Sequence, residues 1–166
     1  MRKRNVIAAA LGVAALLVAG GLLASNMGFK LNYTLAGPEP TWSGKSGLNT
    51  LGLPLNHQVG LNDAMDLITD INATAPGSVL NVQRFNYQTD NIITYDGLVG
   101  TPFAITSGEG YIVKVNQDVS YIVVGSHDPG LTVNLAGPEP TWSGKSGLNL
   151  YSMPYHTTAT DALDMI

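Results

Sequence analysis

Apolar residues fall on every second position at Phe29, Leu31, Tyr33 and Leu35, the period of a strand with one buried face, so 29–36 is read as a strand. A loop rich in Gly, Pro and Ser follows over 37–47. A second strand occupies 48–55, and Gly52 and Pro54 near its end place it at a sheet edge. The rhythm then changes. Ala64, Leu67, Ile68 and Ile71 lie at helical spacing behind a cap at Asn62 or Asp63, while Asp63, Asp66 and Asp70 share the opposite side. Pro76-Gly77 stops this helix. Strand patterning returns over 79–87, and residues 88–91 read as a turn before a strand at 92–95. Asp96-Gly97 carries a hairpin signal, and 103–105 reads as a short strand. The two clearest strands are 109–115 and 119–124, joined by Asn116-Gln117-Asp118. Short strands with one early helix predict a mainly β (α+β) fold, a compact β-sandwich-like module.

The first residues have a different character. Arg2, Lys3 and Arg4 precede a run from Val6 to Ala24 without a charged residue, and small residues close it. This is the layout of a secretory signal peptide, with the cut placed after Ala24, although Gly21 fits the small-x-small pattern better. The run is 19 residues long, so an uncleaved anchor helix is the alternative. Either way the rest of the chain is expected outside the cytoplasm, extracellular or at the cell surface, touching a membrane only through this segment.

The stretch LAGPEPTWSGKSGLN at 35–49 returns unchanged at 135–149, an offset of 100 residues. Similarity continues with Leu53-Pro54 and Met153-Pro154, then with 63–68 and 161–166 after a two-residue deletion. Fifteen identities in register are not chance, and the period is that of a whole domain rather than a solenoid repeat. The chain therefore divides into a signal segment at 1–24, a complete module at 29–128 and a truncated second copy at 129–166. Copy one is expected to fold alone. Copy two, lacking counterparts of the later strands, has an apolar face that must use copy one as its packing surface.

Composition narrows the chemistry. Outside the N-terminal cluster only five bases (Lys30, Lys45, Arg84, Lys114, Lys145) stand against 12 acids, leaving a mature charge of −7. No basic cluster tracks a phosphate backbone, which speaks against a nucleic-acid partner. The chain has no cysteine, excluding disulfides, thiol nucleophiles and Cys-based zinc sites. Gly44-Lys45-Ser46 resembles the end of a P-loop, but Glu39 stands where its first glycine belongs, and a strand follows instead of a helix. Ser126-His127-Asp128 holds the residue types of a hydrolase triad, yet consecutive residues do not converge on one atom. Asp128-Pro129-Gly130 reads as the linker between copies, with His127 exposed. His57 and His156 follow matching prolines and mark a shared loop; one histidine per copy makes a poor metal site.

Two sets of residues remain as speculative sites. Asp63, Asp66 and Asp70 form a carboxylate cluster that could hold a hard cation, weighed against a helix cap with a solvated face. Trp42 recurs as Trp142 amid Thr, Ser and Gly, a setting in which an indole could stack on a sugar ring or dock a partner. The competing reading folds the ring back onto the module. No cofactor is indicated.

The order Leu51-Gly52-Leu53-Pro54, a short helix at 63–71, Arg84-Phe85-Asn86, then Ser107-Gly108-Glu109-Gly110-Tyr111-Ile112-Val113-Lys114-Val115 and Val124-Gly125-Ser126-His127-Asp128-Pro129 resembles tandem β-rich repeat modules of exported bacterial proteins. The resemblance covers 29–129. It implies extracellular location and tandem architecture, and no catalytic residue comes with it. The leading expectation is a non-catalytic repeat module of a secreted or surface-attached protein, structural or adhesive, with neighbouring copies or surface glycans as partners. A carbohydrate-binding accessory module is the second reading and an exported hydrolase the third.

Overall fold

A computed structural model describes residues 28–39, 46–57, 60–138, 146–154 and 158. The N-terminal segment read as a signal, both tryptophans, His156 and the 161–166 stretch lie outside the described residues. Among the described residues the protein is mainly β, with two antiparallel sheets and one short helix. Strand β1 (Gly28–Leu35) is followed by β2 (Leu48–Gly52), a two-residue β3 (Asn56–His57) and helix α1 (Ala64–Thr74). Strands β4 (Val79–Asn86), β5 (Asn91–Tyr95), β6 (Gly110–Val115) and β7 (Val119–Ser126) complete the module. One sheet has the order β1-β7-β3 and the other β2-β6-β4-β5.

Strand β2 takes the edge position that Gly52 and Pro54 indicated. In β1 and β7 every second residue faces inward, and Leu35, Val119, Tyr121 and Val123 are all buried. These join Leu51, Val82, Tyr111, Val113 and Val115 from the other sheet in a single core. Helix α1 contacts β4 of one sheet and β7 of the other and supplies Ala64, Leu67, Ile68 and Ile71 to the same core. Its start is fixed by Asp63, whose carboxylate accepts from Met65 N at 2.9 Å and Asp66 N at 3.0 Å. These are two of the four amides that a helix N-terminus leaves without an intrahelical partner.

Two details differ from the sequence expectation, and a third adds to it. Residues 103–105 form no strand; Ala104 makes one bridge to Asp63, and Ala64 N donates to Phe103 O while Ile105 N donates to Asn62 O. Phe103 and Ile105 are buried, so the segment staples the start of the helix to the core. Asp96-Gly97 builds no hairpin. The Asp96 carboxylate accepts from Leu98 N and Val99 N, turning the chain away from β5 and leaving Leu98 93% exposed. Those two amides hold the Asp96 carboxyl below its usual range. Residues 116–118 carry the chain from one sheet to the other, since β6 and β7 belong to different sheets. Asn116 anchors that corner, its N–H donating to Ser78 O and its side chain to Gly77 O.

Residues after Ser126 have no regular strand among the described positions, yet they are not detached. Gly110 N donates to Leu150 O at 3.1 Å and Ser152 N to Gly108 O at 2.9 Å, with a bridge between Glu109 and Tyr151. The second-copy segment thus lies on the module, and Ser152 is nearly buried there.

Asp63→Ala leaves two helix-start amides without their acceptor and is expected to lower stability by about 1 kcal/mol, whereas Asp63→Asn keeps most of it. Urea denaturation followed by circular dichroism measures both.

Candidate functional site

The repeated stretch gives the site its foundation. In copy one the loop leaves β1 and returns at β2, and the Asn49 side chain ties its two ends together. Asn49 Oδ1 accepts from Ala36 N at 2.8 Å, and Nδ2 donates to Ala36 O and Gly47 O, both at 3.0 Å. One planar amide therefore satisfies three main-chain groups. Gly47 has φ 75°, the left-handed region, and a Cβ there would meet Val115 O and lie 3.1 Å from Pro38 Cδ. Only glycine turns the chain at this point. Pro38 and Ser46 bridge across the neck, and Val115 N donates to Gly47 O.

Copy two builds the same neck. Ala136 N donates to Asn149 Oδ1 at 3.0 Å, and Asn149 Nδ2 donates to Ala136 O at 2.9 Å and Gly147 O at 2.8 Å. Gly147 has φ 77° with Pro138 Cδ 2.8 Å from where its Cβ would be. The surroundings differ. Gly37 N donates to Asp118 Oδ1, and a Cβ on Gly37 would meet the Gln117 main chain at 2.6 Å, while around Gly137 nothing lies within 4 Å. The same three asparagine hydrogen bonds and left-handed glycine form in a packed and an open setting, so this part of the neck is determined by its own residues, while the Pro38–Ser46 bridge and the Val115 bond belong to the first. Trp42 and Trp142 lie outside the described residues.

The three aspartates each hold a different protein donor. Asp63 caps the helix. Asp66 Oδ2 accepts from Asn62 N at 2.9 Å and Asn62 Nδ2 at 3.0 Å, which lowers its pKa. Asp70 Oδ2 accepts from the Tyr121 hydroxyl at 2.8 Å, so it faces β7 rather than a solvated side. A calcium site needs several oxygens converging from one turn. Among the described residues no group of three or more His, Cys, Asp or Glu is placed to hold a metal ion.

His127 is half-buried rather than exposed. Its ring stands edge-to-face on Phe29, 6.3 Å between centroids, at the end of the β1–β7 pair. Packing of the linker against β1 is the reason. His57 lies on β3, its Nε2 3.3 Å from Ile105 O, to which its N–H donates. A further polar network was not read as a site from the sequence. Arg84 Nη2 and Glu109 Oε1 form an ion pair at 2.6 Å, and the Tyr111 hydroxyl donates to Glu109 Oε2 at 2.9 Å while accepting from Thr106 N at 2.7 Å. Beside it lies a cavity of about 200 Å³ between Arg84, Phe85 and Tyr87 on one side and second-copy residues 132–135 on the other. The pairing of β4 with β6 sets Arg84 opposite Tyr111, and no signal in the sequence reports that register.

Both tyrosine hydroxyls are pushed well above their ordinary value, first by burial and then by the neighbouring carboxylates, Glu109 at Tyr111 and Asp70 at Tyr121. These interactions hold the Arg84–Glu109 pair and the two neutral phenols in fixed positions.

Asn49→Ala should cost roughly 1–3 kcal/mol by leaving part-buried main-chain groups without partners. Amide exchange at Ala36 should rise in that variant and exchange at Ala136 should not; Asn149→Ala should do the reverse. A second outcome concerns pH. Because the folded phenols ionise above the ordinary value near 10, the unfolded chain loses those protons first. Their contribution is complete below about pH 10 and declines as pH rises beyond it, so urea midpoints should fall above about pH 10. Tyr121→Phe should make that fall shallower.

Compared with known proteins, the chain matches no family model, no curated protein and no solved structure.

Proposed function

We propose that this chain is a non-catalytic repeat module of a secreted or surface-attached bacterial protein, serving a structural or adhesive role. The observation that carries this reading is the neck built twice: the same asparagine amide and left-handed glycine close the same loop in both copies. A loop whose frame is kept while its packing environment changes is selected for what it displays. Regularly spaced identical loops turn weak contacts into avidity without any new contact.

Further support comes from the strand pairing. β1 and β7, the first and last strands, lie side by side with Gly28 opposite Ser126, so the chain enters and leaves the module at one end. Such a unit accepts neighbours before and after it without rearranging its core. Residues 1–24 supply the export address in this reading, and 129–166 open the next copy.

Cell fractionation of a bacterium expressing the full chain should place it outside the cytoplasm, accessible to added protease or in the medium. Retention in the cytoplasm would overturn the export part of the proposal. For the adhesive role, beads coated with the chain should bind bacterial cells or extracted surface polymers more strongly than the free chain does. Trp42→Ala and Trp142→Ala together should reduce that binding severalfold, the multivalent gain being lost at each loop. A chain that neither self-associates nor binds any of these in either format removes the role.

A further inference from the structure

At three glycines of the module the atoms nearest to where a side chain would be belong to the second-copy segment. A Cβ on Gly52 would lie 2.6 Å from Ser152 Oγ and 2.9 Å from its Cβ. On Gly110 it would come 2.9 Å from Leu150 Cγ and 3.2 Å from Tyr151 N. At Gly108 it would lie 3.1 Å from Val133 Cγ2 and 3.5 Å from Leu131 Cδ1. Real Cβ atoms do not approach as closely as the Gly52 and Gly110 distances, and the Gly108 contact is tight, so the bare positions are what lets the segment settle. Main-chain bonds then hold it, Gly110 N to Leu150 O and Ser152 N to Gly108 O. At the far end Asp90, in the β4–β5 turn with φ 52°, accepts from Ser146 N. A non-glycine residue in that conformation is uncommon and carries a modest strain.

We propose that Gly52, Gly108 and Gly110 form a docking seat for the opening segment of a following copy, with Ser152 as the side chain that fills it. This rests on the reading of 129–166 as the start of another module. Gly52 and Ser152 occupy the same position of the repeat, offset by 100 residues like the loops. The joint therefore has a direction: one copy offers the gap, and the next offers the side chain. Asp90 sets the far end of the register, and the cavity beside Arg84 lies between the two contacts.

Hydrogen exchange on the full chain tests the seat. Gly52→Ala should speed exchange at the Ser152 and Gly110 amides about tenfold, the order of effect expected for losing one or two marginal hydrogen bonds. Amides of the β1–β7 pair should not change. Adding Ser152→Gly to Gly52→Ala reopens the space and should restore protection. Ser152→Pro removes the N–H that Gly108 O accepts, without altering the module, and should expose the Gly110 amide to a similar degree. If Gly52→Ala unfolds the β1–β7 pair, the proline variant decides. Unchanged Gly110 protection in that variant, or failure of the double variant to recover, overturns the seat. Loss of this pattern in a chain that is still exported removes the joint alone. A chain kept in the cytoplasm with the pattern intact removes the export reading alone.

Discussion

Eight residue pairs, from Gly28 opposite Ser126 to Leu35 opposite Val119, join the first strand of the module to its last. The pairing closes a loop of some ninety residues, an entropic cost that grows only slowly with length but must be met by contacts formed at once. Those contacts are the inward faces of β1 and β7. Leu35, Val119, Tyr121 and Val123 reach the residues of the opposite sheet, and Tyr121 adds a hydrogen bond to Asp70 on the helix. The helix, both sheets and the corner at 116–118 are thus positioned from one ladder. Gly125 lies in it without a side chain, since a Cβ would meet Asn56 O, and β3 approaches β7 there.

Against this long-range closure stands a loop neck that uses only neighbours in sequence. Asn49 and Asn149 each bond main-chain groups two and thirteen positions away. Local structure of this kind does not wait for the fold. It explains how the same sequence reaches the same conformation beside Gln117 and Asp118 in one copy and without them in the other. The proposed display role draws on that independence, because a self-shaped loop can be carried by any scaffold that presents its two ends.

Much of the architecture was legible in the sequence because periodicity reports which face is buried. The alternation in β1 and β7, the edge position of β2 and the buried stripe of α1 all follow from spacing alone. Periodicity does not report partners. It is silent on β6 and β7 parting into different sheets across three residues, and on Asp70 turning to Tyr121. Local signals failed where tertiary contacts redirected them: Asp96 spends its carboxylate on Leu98 and Val99, and Phe103 and Ile105 are buried under the helix start rather than in a sheet. Gly52 reads as an edge-strand glycine, and with Gly108 and Gly110 it proves to be a place where another segment comes close. The tryptophans, the residues on which a sugar-binding reading depended, lie outside the described residues, so that reading gains nothing from the geometry.

The closing ladder also fixes how the module answers a pull. β1 begins where β7 ends, so tension entering at Gly28 and leaving at Ser126 acts on the same end of an antiparallel pair. Its hydrogen bonds run perpendicular to the strands, along the direction of separation. Load then falls on them one rung at a time, like a zip, instead of on all of them together in shear. A unit loaded this way opens from its Gly28–Ser126 end, which is the geometry of a compliant element rather than of a rigid one.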